Sequence, residues 1–101
     1  MSEYRKVEML PEHMREAVIR YMEVGVQPGR FLTAVFSNEL VEAYGFADDE
    51  NAEAMKKWAA YLYLYAPPLS WGSRAKVREW VANGGLLGMQ EKAAKRKAAL
   101  G

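Results

Sequence analysis

The sequence predicts an all-α fold, a compact bundle of about four helices with a basic C-terminal helix or arm. Three observations predict it. Apolar residues recur at intervals of three and four along most of the chain, which is the spacing of a helix face. Gly25, Pro28-Gly29, Gly45, Pro67-Pro68 and Asn83-Gly84-Gly85 cut the chain into segments of helix length. The one stretch that alternates with period two, YLYLY at 61–65, follows strongly helical residues without a turn and has no obvious strand to pair with. The 101 residues suffice for one small domain. The expected division is a loosely held lead-in at 1–9, a helical domain at 10–85 and a basic helix or arm at 86–101.

The first helix begins around Pro11, a residue suited to a first helical position because its missing N–H costs nothing there. Met14, Ala17, Val18, Tyr21 and Met22 form its apolar stripe. Glu16 precedes Arg20 by four, the favourable order for an ion pair. Gly25 suits the C-terminal cap. A second helix is expected from Arg30 to Tyr44. Phe31, Leu32, Ala34, Val35, Phe36, Leu40, Val41 and Tyr44 cover most of its circumference, as in a central helix.

After Gly45, ADDEN at 47–51 supplies an Asp cap and acids for the first turn of a third helix, Asp49 to Tyr65. Its buried stripe is Met55, Trp58, Ala59, Leu62 and Ala66. Pro67-Pro68 stops it. Ser73 caps a fourth helix with Val77, Trp80 and Val81 on one side, and NGG at 83–85 ends that helix. The lysine- and alanine-rich remainder favours helix but is short.

Charge is unevenly spread. Glu8 to Glu53 holds ten acids and three bases, −7, whereas Ala54 to the end holds nine bases and two acids, +7. The simplest reading is mutual neutralisation within one fold. The polarity also suits head-to-tail self-association or an anionic partner. A small core, twelve aromatics and six methionines point to a homo-oligomer.

The chemistry available is narrow. There is no cysteine and one histidine, His13, so disulfides and thiolate metal sites are excluded. Asp48, Asp49, Glu50 and Glu53 lack the spacing and glycine of a calcium loop and read as a solvated helix start. NGGLLG terminates a helix and does not follow a strand, so it is no phosphate cradle. Ser70 and Ser73 lack a convincing general base. No catalytic residue, metal ligand or cofactor motif emerges, and the chain is expected to be no enzyme. No apolar run approaches the roughly 20 residues of a membrane span. MSEYRKVEML offers no signal-peptide core, so a cytoplasmic location is expected.

The stretch SWGSRAKVREW, 70–80, is unusual. The N-terminus of a helix favours acids, yet this one opens with Arg74, Lys76 and Arg78. Lys76 also stands where a capping box would carry Glu or Gln. Free N–H groups at Ser73 onward would join these cations in holding a phosphate or carboxylate, and Trp71 would stack a base. The plain alternative has solvated cations and a Trp71 buried under the Pro-Pro step, at a cost of a few tenths of a kcal/mol per charge. QPGRFLT, 27–33, brings a second cation, Arg30, to another helix start. The candidate ligand set is Trp71, Gly72, Ser73, Arg74, Lys76 and Arg30. The tail KAAKRKAAL offers weak, salt-sensitive attraction to nucleic acid, with no sign of specific recognition.

QPGRFLTAVFSNELVEAYGFADDEN, followed by YAPPLSWGSRAKVREWVANGG, resembles small accessory proteins of tailed bacteriophages and prophages. Their pattern is PPG-x-FLTAVL-x-NDL-x-EA-x-x-RADD-x-N, then EAP and WGS. The likeness spans about residues 10 to 86, through Pro28, Gly29, Phe31, Leu32, Asn38, Leu40, Asp48, Asp49, Asn51, Pro67, Trp71, Gly72 and Ser73. Gln27, Glu39 and Phe46 depart from it. The resemblance implies a phage accessory protein in the host cytoplasm. Small non-enzymatic phage proteins often act against host defence, so one expectation is an oligomeric sponge for an anionic nucleotide-like immune signal. The other is a module that docks on a host or phage protein, through the Tyr61, Tyr63 and Tyr65 region or the ridge around Asn38.

Overall fold

Pro11 and Gly25 bracket the first helix, α1, Glu12–Val24. Gly25 adopts φ 68° and its N–H closes the helix on the carbonyls of Arg20 and Tyr21, the left-handed ending that glycine permits without a Cβ clash. Val18, Tyr21 and Met22 are the buried part of the predicted stripe, Met14 is half-buried and Ala17 is exposed. The computed structural model describes residues 3–100, and among them are seven α-helices and no strand.

The all-α class is therefore correct, and the count of about four helices is not. The expected helix from Arg30 to Tyr44 is two, α2, Arg30–Phe36, and α3, Leu40–Phe46. The break is a left-handed helix ending at Asn38, φ 63°. The N–H of Asn38 donates to the Val35 carbonyl at 3.1 Å and that of Glu39 to Ala34 at 3.0 Å. These paired bonds satisfy the last carbonyls of α2 and turn the chain out of its axis. The consequence for packing is large. α2 buries Phe31, Leu32, Ala34, Val35 and Phe36, whereas α3 buries only Ala43.

The third predicted helix is also divided, into α4, Asp49–Glu53, and α5, Met55–Leu64. The division is one residue wide, at Ala54, whose N–H is shared between the Glu50 and Asn51 carbonyls. The period-two stretch is helical, so its tyrosines part company: Tyr61 is fully buried and Tyr63 is 84% exposed. Pro68–Ser70 forms a short 3-10 turn. Next come α6, Arg74–Ala82, with the predicted Ser73 cap, and α7, Gly85–Leu100.

Aromatic rings fill the centre. Tyr21 and Phe36 stack at 4.4 Å, and Phe31 meets Trp58 edge-on at 5.4 Å. Burying a ring such as Phe36 stabilises by about 1.5–3 kcal/mol. The polar tips of these rings are satisfied, as burial demands. Tyr21 donates to the Ser70 carbonyl at 2.7 Å, Trp80 to the Tyr21 carbonyl at 2.7 Å, and Trp58 to the buried Asn51 side chain at 3.3 Å. Burial raises the pKa of the Tyr21 and Tyr61 phenols, which keeps them neutral donors.

Two further contacts set the outline. A Cβ on Gly25 would lie 2.7 Å from the Gly85 nitrogen, and one on Gly85 would lie 2.6 Å from the Gly25 nitrogen. The end of α1 and the start of α7 thus touch backbone to backbone, which seats α7 on α1. From Gln90 to Leu100 every residue of α7 is exposed, and the molecule measures 51 × 25 × 19 Å. The lead-in, expected to be loose, is held over residues 3–10: Tyr61 donates to the Tyr4 carbonyl, Tyr4 to Glu23 at 2.9 Å, and Leu10 is 1% exposed. None of these helices is long and apolar enough to cross a membrane.

Candidate functional site

The cationic start of α6 is built from three local features. Trp71 is extended, Gly72 takes φ 129°, and the Gly72 N–H donates to the Phe36 carbonyl at 2.8 Å, pinning the loop to the end of α2. Trp71 is half-buried and packs against the core. Ser73 then caps α6, its Oγ accepting from the Lys76 N–H at 3.2 Å. The Lys76 chain folds back over Gly72, its Cδ 3.2 Å from where a Cβ on that glycine would lie.

Arg74 turns towards α3. Its Nε donates to Glu39 Oε2 at 2.7 Å and its Nη2 to Glu39 Oε1 at 2.6 Å, a two-pronged bond to one carboxylate. Nη2 also donates to Glu42 Oε2 at 2.8 Å. The bond from Arg74 holds the Glu39 carboxyl below its ordinary pKa, and the same carboxylate raises the guanidinium. The unusual cation at a helix start is thus answered locally. It costs little against the helix dipole and ties α6 to α3.

Of the six predicted ligand residues, two share a cavity. Arg30, at the start of α2, and Arg74 line an open cleft of about 700 Å³ with Thr33, Glu42 and Phe46. The Arg30 guanidinium lies 5.7 Å from the centre of the Phe46 ring, a cation–π contact. Trp71, Gly72, Ser73 and Lys76 do not line this cleft. Of the charged side chains lining the cleft, Arg74 is bonded to Glu42 and Arg30 lies against the Phe46 ring.

A second feature carries no motif in the sequence. α3 exposes Leu40 at 64%, Val41 at 84% and Tyr44 at 51%. Along its flank, between α3 and α5, runs a groove of about 90 Å³ lined by Leu40, Ala43, Met55, Trp58, Ala59 and Leu62. The volume is far below the roughly 300 Å³ at which small-molecule pockets begin. It admits a side chain, not a nucleotide. The sequence reading missed this surface because it buried Leu40, Val41 and Tyr44 in a central helix. The available signal was Asn38, a residue that tolerates the left-handed helix ending.

His13 bonds to Asp48 Oδ2 at 2.9 Å, and Asp48 caps α4 by accepting from the Asn51 N–H at 2.7 Å. Among the described residues no three His, Asp or Glu side chains gather in a way that would hold a metal ion. No protein-family model, curated protein or solved structure matches the chain.

Proposed function

We propose that the chain is a non-catalytic interaction module that docks on protein through α3 and the groove beside it, in keeping with the phage accessory proteins its sequence resembles. The observation that carries this reading is the exposure of Leu40, Val41 and Tyr44 on one short helix next to a groove of side-chain size. Single exposed apolar residues are ordinary, but a group of them beside a recess is the form of a docking surface. The test replaces Tyr44 with a photoreactive benzoylphenylalanine and irradiates cells that make the protein. A discrete protein adduct is expected from position 44 and none from the same group at position 97, on the exposed end of α7. Irradiation that yields no adduct at position 44 removes the reading.

The second reading is an anionic nucleotide-like ligand in the cleft between Arg30 and Arg74. It is supported by the convergence of these two cations, from distant helix starts, on one opening wide enough for such a molecule. Its weakness is the engagement of Arg74 by two carboxylates, which a ligand must displace or share. A melting-temperature screen against cyclic and ordinary nucleotides tests it. A ligand at a hundred times its dissociation constant adds about 2.7 kcal/mol, several degrees in a domain of this size. That shift should vanish in Arg30→Glu.

A further inference from the structure

We infer that the far half of α7 is an arm that lies against the phosphate backbone of double-stranded DNA without reading its sequence. Four bases and one acid fall between Glu91 and Lys97, whereas residues 1–89 carry ten bases and twelve acids. Opposite charges within one chain ordinarily neutralise each other in the fold. These do not. Every residue from Gln90 to Leu100 is exposed, and α7 is seated at its other end, where Gly85 meets Gly25. Among the described residues, Lys95 is the one arm cation in an ion pair, and its partner is Glu91 on the arm itself. Lys92 donates to the uncharged Asn83 side chain at 2.6 Å. The acids of the body thus leave the arm's positive charge unanswered, and its complement is an anion outside the chain.

Spacing selects the anion. Lys92, Lys95, Arg96 and Ala99 recur at i, i+3, i+4 and i+7, so they share one face of the helix, with Lys97 on its flank. Lys92 to Lys97 spans about 7.5 Å of helix axis. Double-stranded DNA carries one phosphate charge per roughly 1.7 Å, about four over that length, and one strand alone carries half as many. Four cations therefore meet about four phosphates. Other anionic partners fit less well. Protein interfaces centre on aromatic and methionine side chains and are poor in lysine, and residues 90–100 hold no aromatic residue and no methionine. A helix lying in a membrane surface needs a broad apolar face, but the side opposite Lys92 holds Ala94 and Ala98. The same lack of aromatic rings leaves nothing to stack on exposed bases, which favours backbone contact over recognition of sequence or of single strands.

Fluorescence anisotropy of a labelled duplex of about 20 base pairs, titrated with the full chain, tests the inference. At about 50 mM salt the dissociation constant should be about 100 μM or tighter, and a duplex of unrelated sequence should bind within about threefold. The slope of log affinity against log salt should be about −3, a loss of about 60-fold between 50 and 200 mM. Arg96→Gln/Lys97→Gln should weaken binding about tenfold or more at low salt and make the slope shallower by about two. Lys56→Gln/Lys57→Gln, at exposed positions of α5, makes the same change in net charge and should alter affinity less than about threefold. Circular dichroism checks that both variants fold. Arg96→Ala/Lys97→Ala, which keeps strong helix formers at these positions, replaces the first if it loses helix. No binding at low salt overturns the inference, as does an arm variant that binds like wild type or a control that loses as much as the arm variant. Tighter binding to a single strand of the same length overturns it too. So does equal or tighter binding to polyglutamate, or to vesicles containing about 30% phosphatidylserine, which would assign the arm to an acidic protein or to a membrane. The arm is separate from the docking face on α3, and either reading can fail alone.

Discussion

Asn38 decides more of this molecule than its size suggests. At φ 63° it occupies the left-handed region, where a Cβ crowds the following carbonyl. Asparagine tolerates the region better than other non-glycine residues, and β-branched residues tolerate it worst. Its backbone bonds end α2 and allow α3 to leave the core. Asn38→Val should therefore cost about 1–2 kcal/mol of stability, while Asn38→Gly should be neutral or slightly stabilising. Urea titrations of the three proteins check the order, and a Val variant as stable as wild type would show that the turn is not strained. Beside it, Ser37 Oγ is buried without a partner among the described residues. That side chain gives the turn nothing by hydrogen bonding, so the ending depends on the Asn38 backbone. The sequence already held this information in Ser37-Asn38-Glu39. It was masked by apolar periodicity that continues through the turn, since Leu40 stands four residues after Phe36 and Val41 seven after Ala34.

At the level of elements, local capping chemistry was the most legible part. Ser73 caps α6 and Gly25 closes α1, because a cap needs only one residue type at one place and no knowledge of the rest of the fold. Breaks inside apolar runs were not legible. Whether Ala54 interrupts a helix, or Leu40 faces solvent, depends on what packs alongside. Of the candidate site, Arg30 and Arg74 could be picked out as cations at helix starts, but their shared cleft and the carboxylates opposite them come from tertiary geometry. Asp48 permits a pH test of capping. The Asn51 N–H, and then His13, lower its pKa from an ordinary value near 3.8. A depressed folded value means its contribution is fully present above the unfolded value and is lost as pH falls through the lower folded one. The cap of α4 should thus hold at neutral pH and weaken below about pH 4. Asp48→Asn, which also caps well, lacks this titration. The melting-temperature difference between wild type and Asp48→Asn should therefore change as pH falls below 4. A difference that stays constant from pH 5 down to pH 2 would show that the Asp48 charge has no part in stability.

The whole molecule combines a ringed aromatic core with two outlying pieces, α3 and the far half of α7. Sequence charge anticipated a bipolar chain, and the structure adds where the poles lie. Lys92, Lys95, Arg96 and Lys97 stand on the exposed end of α7. The early acids are spread over α1, α3 and α4. The two halves of α7 have different attachments. Its start meets α1 through Gly25 and Gly85, and Leu86 and Met89 pack against the core. From Gln90 onward it buries nothing, and its polar contacts are exposed: Lys92 to Asn83 at 2.6 Å and Lys95 to Glu91 at 3.2 Å. Exposed pairs of this kind contribute little, and an unsupported helix end is close to neutral in free energy. Ending the chain after Gln90 should therefore leave the melting temperature within about 2 °C of wild type. Ending it after Gly84 removes Leu86 and Met89 from the core, a loss of about 2–5 kcal/mol by analogy with large-to-small core substitutions, and should lower the midpoint by ten degrees or more. Calorimetry of the two truncations decides between a tail that rides on the fold and one that supports it. If the shorter deletion alone lowers the midpoint by several degrees, the far half of α7 has a contact that the isolated chain does not contain, and a second copy is the first place to look for it.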